Sequence, residues 1–452
     1  MSRPDYVSTT NACKLCTPLG AALAFRGIEQ AVPLLHGSQG CATYMRRYII
    51  SHFREPMDIA SSSLGEKSAV FGGGPNLKQA LLNVGQRYGA RLVGVATTCL
   101  TETIGDDVPA LIREFKKEFG ARGLPELVTV STPSFRGTHL DGWRAAIKAV
   151  VETMAGQGVG VGGPDLNLLP GLFSPADIRE LKKLTRAFGL KTVVLPDISL
   201  TLDGPARLDY ERIPSGGAPL ADIRAMGGAG LTVEFGSTFS PASSAGRVLA
   251  EKFNRRALCL PYPIGIRNSD AFLRVLADFS GKEVPADLDL VRGRLVDAMV
   301  DGHKYLAGAK AAVYGEEDLV VGLVSFLSEI GVQVVLAGSG DKTGRLKTAA
   351  AEAVGDLAPE PPLVLDGVDF YQIADQAARL RPDILIGNGK GAPTARELGV
   401  PLVRVGFPIH DRFGAQRVLT VGHEGALALL DRIVNALLEH KQAASAVGWG
   451  YM

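Results

Sequence analysis

Residues 311–340 read AAVYGEEDLVVGLVSFLSEIGVQVVLAGSG, and three segments of different periodicity lie end to end in them. AAVYG is a short apolar run of the kind that fills a strand buried on both faces. DLVVGLVSFLSEIG has apolar residues at helical spacing and stops at Gly331, a residue able to take the left-handed conformation of a helix end. VQVVLAG is apolar and β-branched again. Strand, helix and strand within roughly 30 residues make a βαβ unit, and its two strands must be parallel because a helix, not a hairpin, joins them.

The same alternation continues in RPDILIGNG (381–389) and GVPLVRVGFP (399–408). Upstream, KTVVLPD (191–197) and RALCLPYPIG (256–265) are the strands of a second set, with ADIRELKKLTRAFGL as its best helix. ARLVGVATTC (90–99) and ELVTVSTPSF (126–135) belong to a first set, and the acidic-to-basic VPALIREFKKEFG between them is helical. The fold class is therefore α/β with parallel sheets. GQGVGVGG (156–163) reads as a boundary after the first set, and 284–307, containing RGRLVDAMVDGHKYL, as a long connecting helix. The expected domains are 1–158, 159–300 and 301–440, followed by a polar tail, 441–452. No short tandem repeat is present, only recurring βα architecture.

The chain has 452 residues, enough for several domains, and 46% hydrophobic against 21% charged residues is an ordinary globular mix. Forty-eight basic and 47 acidic residues nearly cancel, so composition offers no case for nucleic acid or an anionic membrane as partner. No run approaches the roughly 20 apolar residues of a membrane helix, and the first residues lack the apolar core of a signal peptide. A cytoplasmic protein is expected. Five cysteines, an odd number in a long chain, argue against a disulfide framework.

Cys16, Cys41 and Cys99 each lie beside a turn signal: CTPLG, GSQGC and TTCLTETIGDD. Cys99 ends a strand segment, Cys41 closes the glycine-rich loop after AVPLLHG, and Ser134 follows the strand ELVTV. In open parallel sheets ligands bind beyond the carboxyl ends of the strands, where all of these residues fall. Soft thiolates suit iron–sulfur clusters and zinc, but three are one short of a simple closed site. A fourth ligand from elsewhere, a site shared with another chain, or plain burial all remain open on spacing alone. Cys13 and Cys16 form C-K-L-C without the preceding strand of a redox dithiol, and Cys259, inside ALCLPYP, reads as a core residue.

Five strings go further: CTPLGAALAFRGIE, LLHGSQGCATYMRRYIISHFREP, SAVFGGGPNLKQAL, TTCLTETIGDDV and TPSFRGTH. They resemble the β-chain family of nitrogenase and nitrogenase-like proteins, as do LPDISLTLDG, LPYPIG, IGNGKG and VPLVRVGFPIHDR at lower density. The resemblance spans nearly the whole chain. It implies three Rossmann-like domains and pairing with a homologous α-type chain in an α2β2 heterotetramer. It further implies an iron–sulfur cluster at the α/β interface, a P-cluster-type [8Fe-7S] or a [4Fe-4S] cluster, fed by an ATP-dependent iron protein. Cys16, Cys41 and Cys99 match all three β-side ligand positions, Ser134 matches a serine that can ligate the oxidised cluster, and Tyr44 matches an aromatic position beside it. In such proteins the α-type partner holds the active-site cofactor. IGNGKGAPTARELGVPLVRVGFPIHDR looks closer to the cofactor-assembly scaffold branch, yet the thiol set is complete. That mixture implies the methylthio-alkane reductase branch, with the assembly scaffold as the alternative.

Other motifs read more plainly. His36 and His52 flank Cys41 and suit hydrogen bonding better than iron ligation. FGGGP (71–75) lacks the Lys-Ser/Thr of a P-loop and suits a tight turn or close packing, so ATP hydrolysis by this chain is not expected. GDD (105–107) reads as a helix N-cap rather than an acid/base pair. AGSGDKTG (337–344) lacks the G-x-G-x-x-G spacing of a dinucleotide loop, and Lys390 in IGNGKG reads as a turn residue or an interface cation. Arg46, Arg47 and Arg54 read as solvated helix charges or interface residues.

Overall fold

A computed structural model describes residues 12–120, 123–157, 163–206, 208–209, 211–358 and 360–445. Among the described residues, thirteen strands fall into three sheets. The first holds β1 (Ala31–His36), β2 (Ala60–Ser61), β3 (Leu92–Thr97) and β4 (Glu126–Val130), in the order β2-β1-β3-β4. The second holds β5 (Leu166–Leu169), β6 (Thr192–Val194), β7 (Leu231–Phe235) and β8 (Arg256–Leu260), ordered β6-β5-β7-β8. The third holds β9 (Lys310–Gly315), β10 (Gln333–Ser339), β11 (Leu363–Leu365), β12 (Ile384–Gly387) and β13 (Leu402–Arg404), ordered β11-β10-β9-β12-β13. Every pairing between these strands is parallel. The expected α/β class with parallel sheets is the observed one.

The 311–340 segment folds as β9, the helix Glu317–Glu329 and β10, and Gly331 takes φ +76° just beyond the helix. That helix is buried from Glu317 to Ser328, on all of its faces. A helix apolar all round must lie inside, and this one is packed in the middle of the molecule. One continuous apolar core runs through all three sheets, from Leu92 and Val128 through Leu168 and Val233 to Val313 and Ile386.

Two glycines set the tightest packing. Helices Thr17–Arg26 and His139–Met154 cross so closely that a Cβ on Gly20 would stand 1.7 Å from the His139 carbonyl oxygen. One on Gly142 would stand 1.8 Å from that of Thr17. Only a bare backbone allows this approach, and it brings the Cys16 end of the first helix against the loop that follows β4.

The long connecting helix spans Ala286–Leu306 and runs through residue 300 on its way from the second sheet to the third. The expected limit near 158 and the AVGWGYM tail fall largely outside the described residues. Cys259 departs from its expected core position. It sits in β8, the edge strand of its sheet, and is exposed, its thiol donating to the Gly236 carbonyl at 3.1 Å. An apolar run at an edge has no neighbour on one side, which a one-dimensional pattern does not reveal.

Candidate metal centre

Each of the three singled-out cysteines stands at the amino end of a helix. Cys16 is the N-cap residue of Thr17–Arg26, Cys41 lies in the first turn of Gln39–Phe53, and Cys99 opens Cys99–Ile104. The loops after β1 and β3 deliver the second and third of these, and the helix crossing at Gly20 and Gly142 delivers the first. The amino end of a helix presents partial positive charge to the sulfur it holds. The backbone N–H of Ser134 points to Cys99 Sγ at 3.3 Å, and Ser38 Oγ donates to Cys41 Sγ at 3.7 Å.

The four residues form one group. Burial pushes the Cys16 thiol up, Ser134 opposes this by hydrogen bonding, and Cys99 and Cys41 push it up further as neighbouring anions. Ser134 Oγ also accepts from the Thr17 N–H at 3.2 Å, tying the β4 loop to the helix that Cys16 caps. Tyr44, one turn beyond Cys41, packs with its ring tilted 49° and 4.7 Å from that of Tyr48; burial and Tyr48 hold its phenol well above the ordinary range, with a smaller push from Cys16. Among the described residues, no three His, Cys, Asp or Glu side chains close around a single metal ion. Three thiols that converge without closing, Cys41 part-buried and Cys99 exposed, make an open half-site. Its soft donor set and helix-end setting fit an iron–sulfur cluster completed from another chain. The surroundings agree, because Tyr44 is 46% and Phe135 60% exposed beside the thiols, leaving aromatic surface uncovered.

The remaining motifs have structural work. His36 is fully buried, held by Ser62 Oγ at 2.9 Å and Asp106 Oδ2 at 3.0 Å, and burial lowers its basicity. Buried His52 accepts from the Ile409 N–H at 2.9 Å, and burial, aided by His410, pulls its pKa down to about 3. Gly73 donates to both Asp106 oxygens at 3.1 Å, so the glycine loop serves close packing. Asp107 caps Val108–Phe119 by accepting from Ala110. Cys13 is buried among Ala312, Tyr314 and Phe370 with its pKa pushed up to about 12 by desolvation, unsuited to dithiol exchange. Lys390 turns inward and donates to the Ala12 carbonyl, so it acts as a latch on the first described residues. Arg46 stays solvent-facing, 4.0 Å from Asp58.

Sequence reading passed over two residues that organise the centre. His139 Nδ1 accepts from Leu15 N–H at 3.3 Å while Nε2 meets Glu316 Oε1 at 3.3 Å, linking the segment before Cys16 to the third sheet. Buried Arg144 pairs with buried Asp318, and its guanidinium lies 4.7 Å over the Phe239 ring. The signal available was a charge on an otherwise apolar helix face, in WRAAIKAVV.

The profile of the nitrogenase component 1 type oxidoreductases matches residues 16–438. The nitrogenase molybdenum-iron protein beta chain of Clostridium pasteurianum is 35% identical over 95% of this chain and 93% of its own length. The corresponding beta chain of Methanococcus maripaludis is 38% identical over 97% and 96%. The nitrogenase iron-molybdenum cofactor biosynthesis protein NifN of Bradyrhizobium diazoefficiens is 33% identical over 98% and 92%. A solved chain titled "Nitrogenase Cp1 at pH 6.5" superposes with a TM-score of 0.95 at 32% identity, covering 100% of this chain and 98% of that one. The chain belongs to the nitrogenase component 1 type oxidoreductase family.

Proposed function

We propose that the chain is the β-type subunit of a nitrogenase-like reductase, holding half of an iron–sulfur cluster through Cys16, Cys41 and Cys99. The cluster is of P-cluster type, [8Fe-7S] or [4Fe-4S], and is shared with a homologous α-type chain in an α2β2 heterotetramer. The observation that carries this reading is the convergence of three thiols at three helix amino ends on an aromatic-edged face. When bound, the cluster would supply one-electron redox chemistry between an ATP-dependent iron protein and the cofactor of the α-type chain.

This chain's own residues do the binding and shielding. The helix amino ends and the Ser134 N–H present donors to the sulfurs and would tune whatever they ligate. Tyr44 and Phe135 keep water from the seam once the partner covers them. No helix among the described residues is long and apolar enough to cross a membrane, in keeping with assembly in the cytoplasm.

The substrate reading is reductive C–S cleavage of small methylthio-alkanes. It rests on the scaffold-like run IGNGKGAPTARELGVPLVRVGFPIHDR occurring together with a complete thiol set. The second reading, a subunit of the cofactor-assembly scaffold, draws on the likeness to the Bradyrhizobium biosynthesis protein, 33% identical beside beta chains at 35% and 38%. One anaerobic assay separates them. The chain is purified with its α-type partner and given the cognate iron protein, ATP and reductant, with dimethyl sulfide, acetylene or dinitrogen. Methane and methanethiol from the sulfide are expected. Ammonia without methane would overturn the sulfide reading in favour of nitrogen reduction. No product from any substrate, with cofactor delivered to apo-nitrogenase, would establish the scaffold.

A further inference from the structure

A crevice of about 430 Å³ opens where the three sheets meet. Each sheet contributes a loop from the carboxyl end of a strand: Gly137–Thr138 after β4, Thr238–Phe239 after β7, and Gly340 to Thr343 after β10. Crevices at strand carboxyl ends are where open α/β sheets take their ligands. This one adjoins the thiol half-site, sharing Phe135 with its rim, but none of Cys16, Cys41, Cys99 and Ser134 lines it.

Its lining is cationic. Lys14, Arg136, Lys342 and Arg345 all line it, and among the described residues none of the four has a carboxylate in ion-pair range. A fifth cation, Arg144, is already neutralised by Asp318. The one carboxylate in the lining, Asp141, is engaged by the N–H and hydroxyl of Thr138 at 2.8 and 3.3 Å. Behind the wall, Glu317 accepts from Thr343, and burial raises its pKa to about 7.

The cations are also positioned rather than loose. Arg345 donates to the Phe239 carbonyl at 3.1 Å, and Arg136 lies 5.6 Å over the Phe135 ring. The Lys342 stem packs beside Gly367, and Gly340 lets the Cys13–Lys14 backbone approach so closely that a Cβ there would meet the Cys13 carbonyl at 2.5 Å. Four like charges brought to one concavity repel one another, and an anion of matching charge relieves that repulsion. Forked guanidinium donors beside point-charge ammonium groups suit planar carboxylates and tetrahedral phosphates.

We propose that this crevice binds a small multivalent oxyanion, a polycarboxylate or a polyphosphate, at a site beside the thiol half-site that shares none of its ligands. The inference does not rest on the reading of the thiols. It is tested by isothermal titration of the purified α/β complex with citrate and, separately, with pyrophosphate, at ionic strength fixed with chloride. Binding with Kd below about 1 mM is expected for at least one of them, and which one binds tells carboxylate from phosphate. K342Q and R345Q, both at exposed positions, should each weaken it by about tenfold or more, the loss of one charge-assisted contact. K117Q on the distant Val108–Phe119 helix should leave it unchanged. Circular dichroism of each variant confirms that the fold is kept. No binding of either anion below about 10 mM, or binding equally indifferent to all three substitutions, would overturn the proposal.

Discussion

At the scale of single residues, the thiols and the buried titratable groups make opposite contributions. Cys99 stands exposed at the surface of the half-site, outside the core, whereas part-buried Cys41 packs against it. Replacing Cys99 with Ser should change the unfolding midpoint of the apo-complex by no more than about 0.5 kcal/mol equivalent. It should remove most of the cluster iron and its visible absorption, read by metal analysis and spectroscopy. Equal loss of iron and of fold would mean that Cys99 is structural. Glu317 offers a pH test. Its folded pKa of about 7 lies above the ordinary 4.5 because burial disfavours the carboxylate. The folded state therefore holds a proton that the unfolded chain releases, so this group's stabilisation is full below pH 4.5 and lost as pH rises through 7. E317Q, which stays neutral, should flatten the decline in denaturation midpoint across that window. His52 acts in the other direction. Its pKa of about 3 against 6.5 means the fold keeps it neutral, so its contribution is present above pH 6.5 and lost toward 3. H52N should lessen the acid loss, and an unchanged acid limb would assign that loss to the carboxylates instead. Of these residues, the cysteines were singled out by their turn settings, and the family resemblance, not their spacing, marked them as ligands. His139 was not, because its partners Leu15 and Glu316 are 124 and 177 positions away.

At the scale of elements, helices and strands follow local pattern closely. The expected strands at 191–197, 256–265, 381–389 and 399–408 contain β6, β8, β12 and β13, and the long helix near 284–307 is Ala286–Leu306. Periodicity and glycine stops are short-range signals, so they survive without tertiary information. How two helices meet is another matter. Nothing local marks Gly20 and Gly142 as the crossing point of Thr17–Arg26 and His139–Met154, and yet the approach leaves no room for a Cβ at either. G142A should cost about 3 kcal/mol or more, above the usual range for overpacking because the clash is with backbone that cannot rotate away. Chemical denaturation measures the loss. Since this crossing carries Cys16 to Ser134, cluster loading should fall with it, whereas G89A, at a positive φ but with nothing near its Cβ, should load normally.

At the scale of the molecule, one buried ion pair joins parts from all three sheets. Arg144 comes from the helix after β4, Phe239 from the loop after β7, and Asp318 from the helix after β9, where it also accepts from Ser237 and Thr238 N–H groups at 2.7 and 3.0 Å. R144L leaves Asp318 buried without its cation and should cost about 3–5 kcal/mol, while the paired R144L/D318L should recover much of the loss. Denaturation midpoints of the three proteins test this, and additive single costs would show that the two residues are uncoupled. What the amino-acid sequence determined by itself was the α/β class, the parallel pairing, the order of elements, the family and the three thiols, because hydrophobic period, turn chemistry and long ordered strings are written along the chain. The tertiary structure alone decided that those thiols stand together at the amino ends of three helices, that Cys259 lies on an edge, and that four cations surround a crevice. Each depends on residues far apart in the chain, brought together by the packing of three sheets on one core.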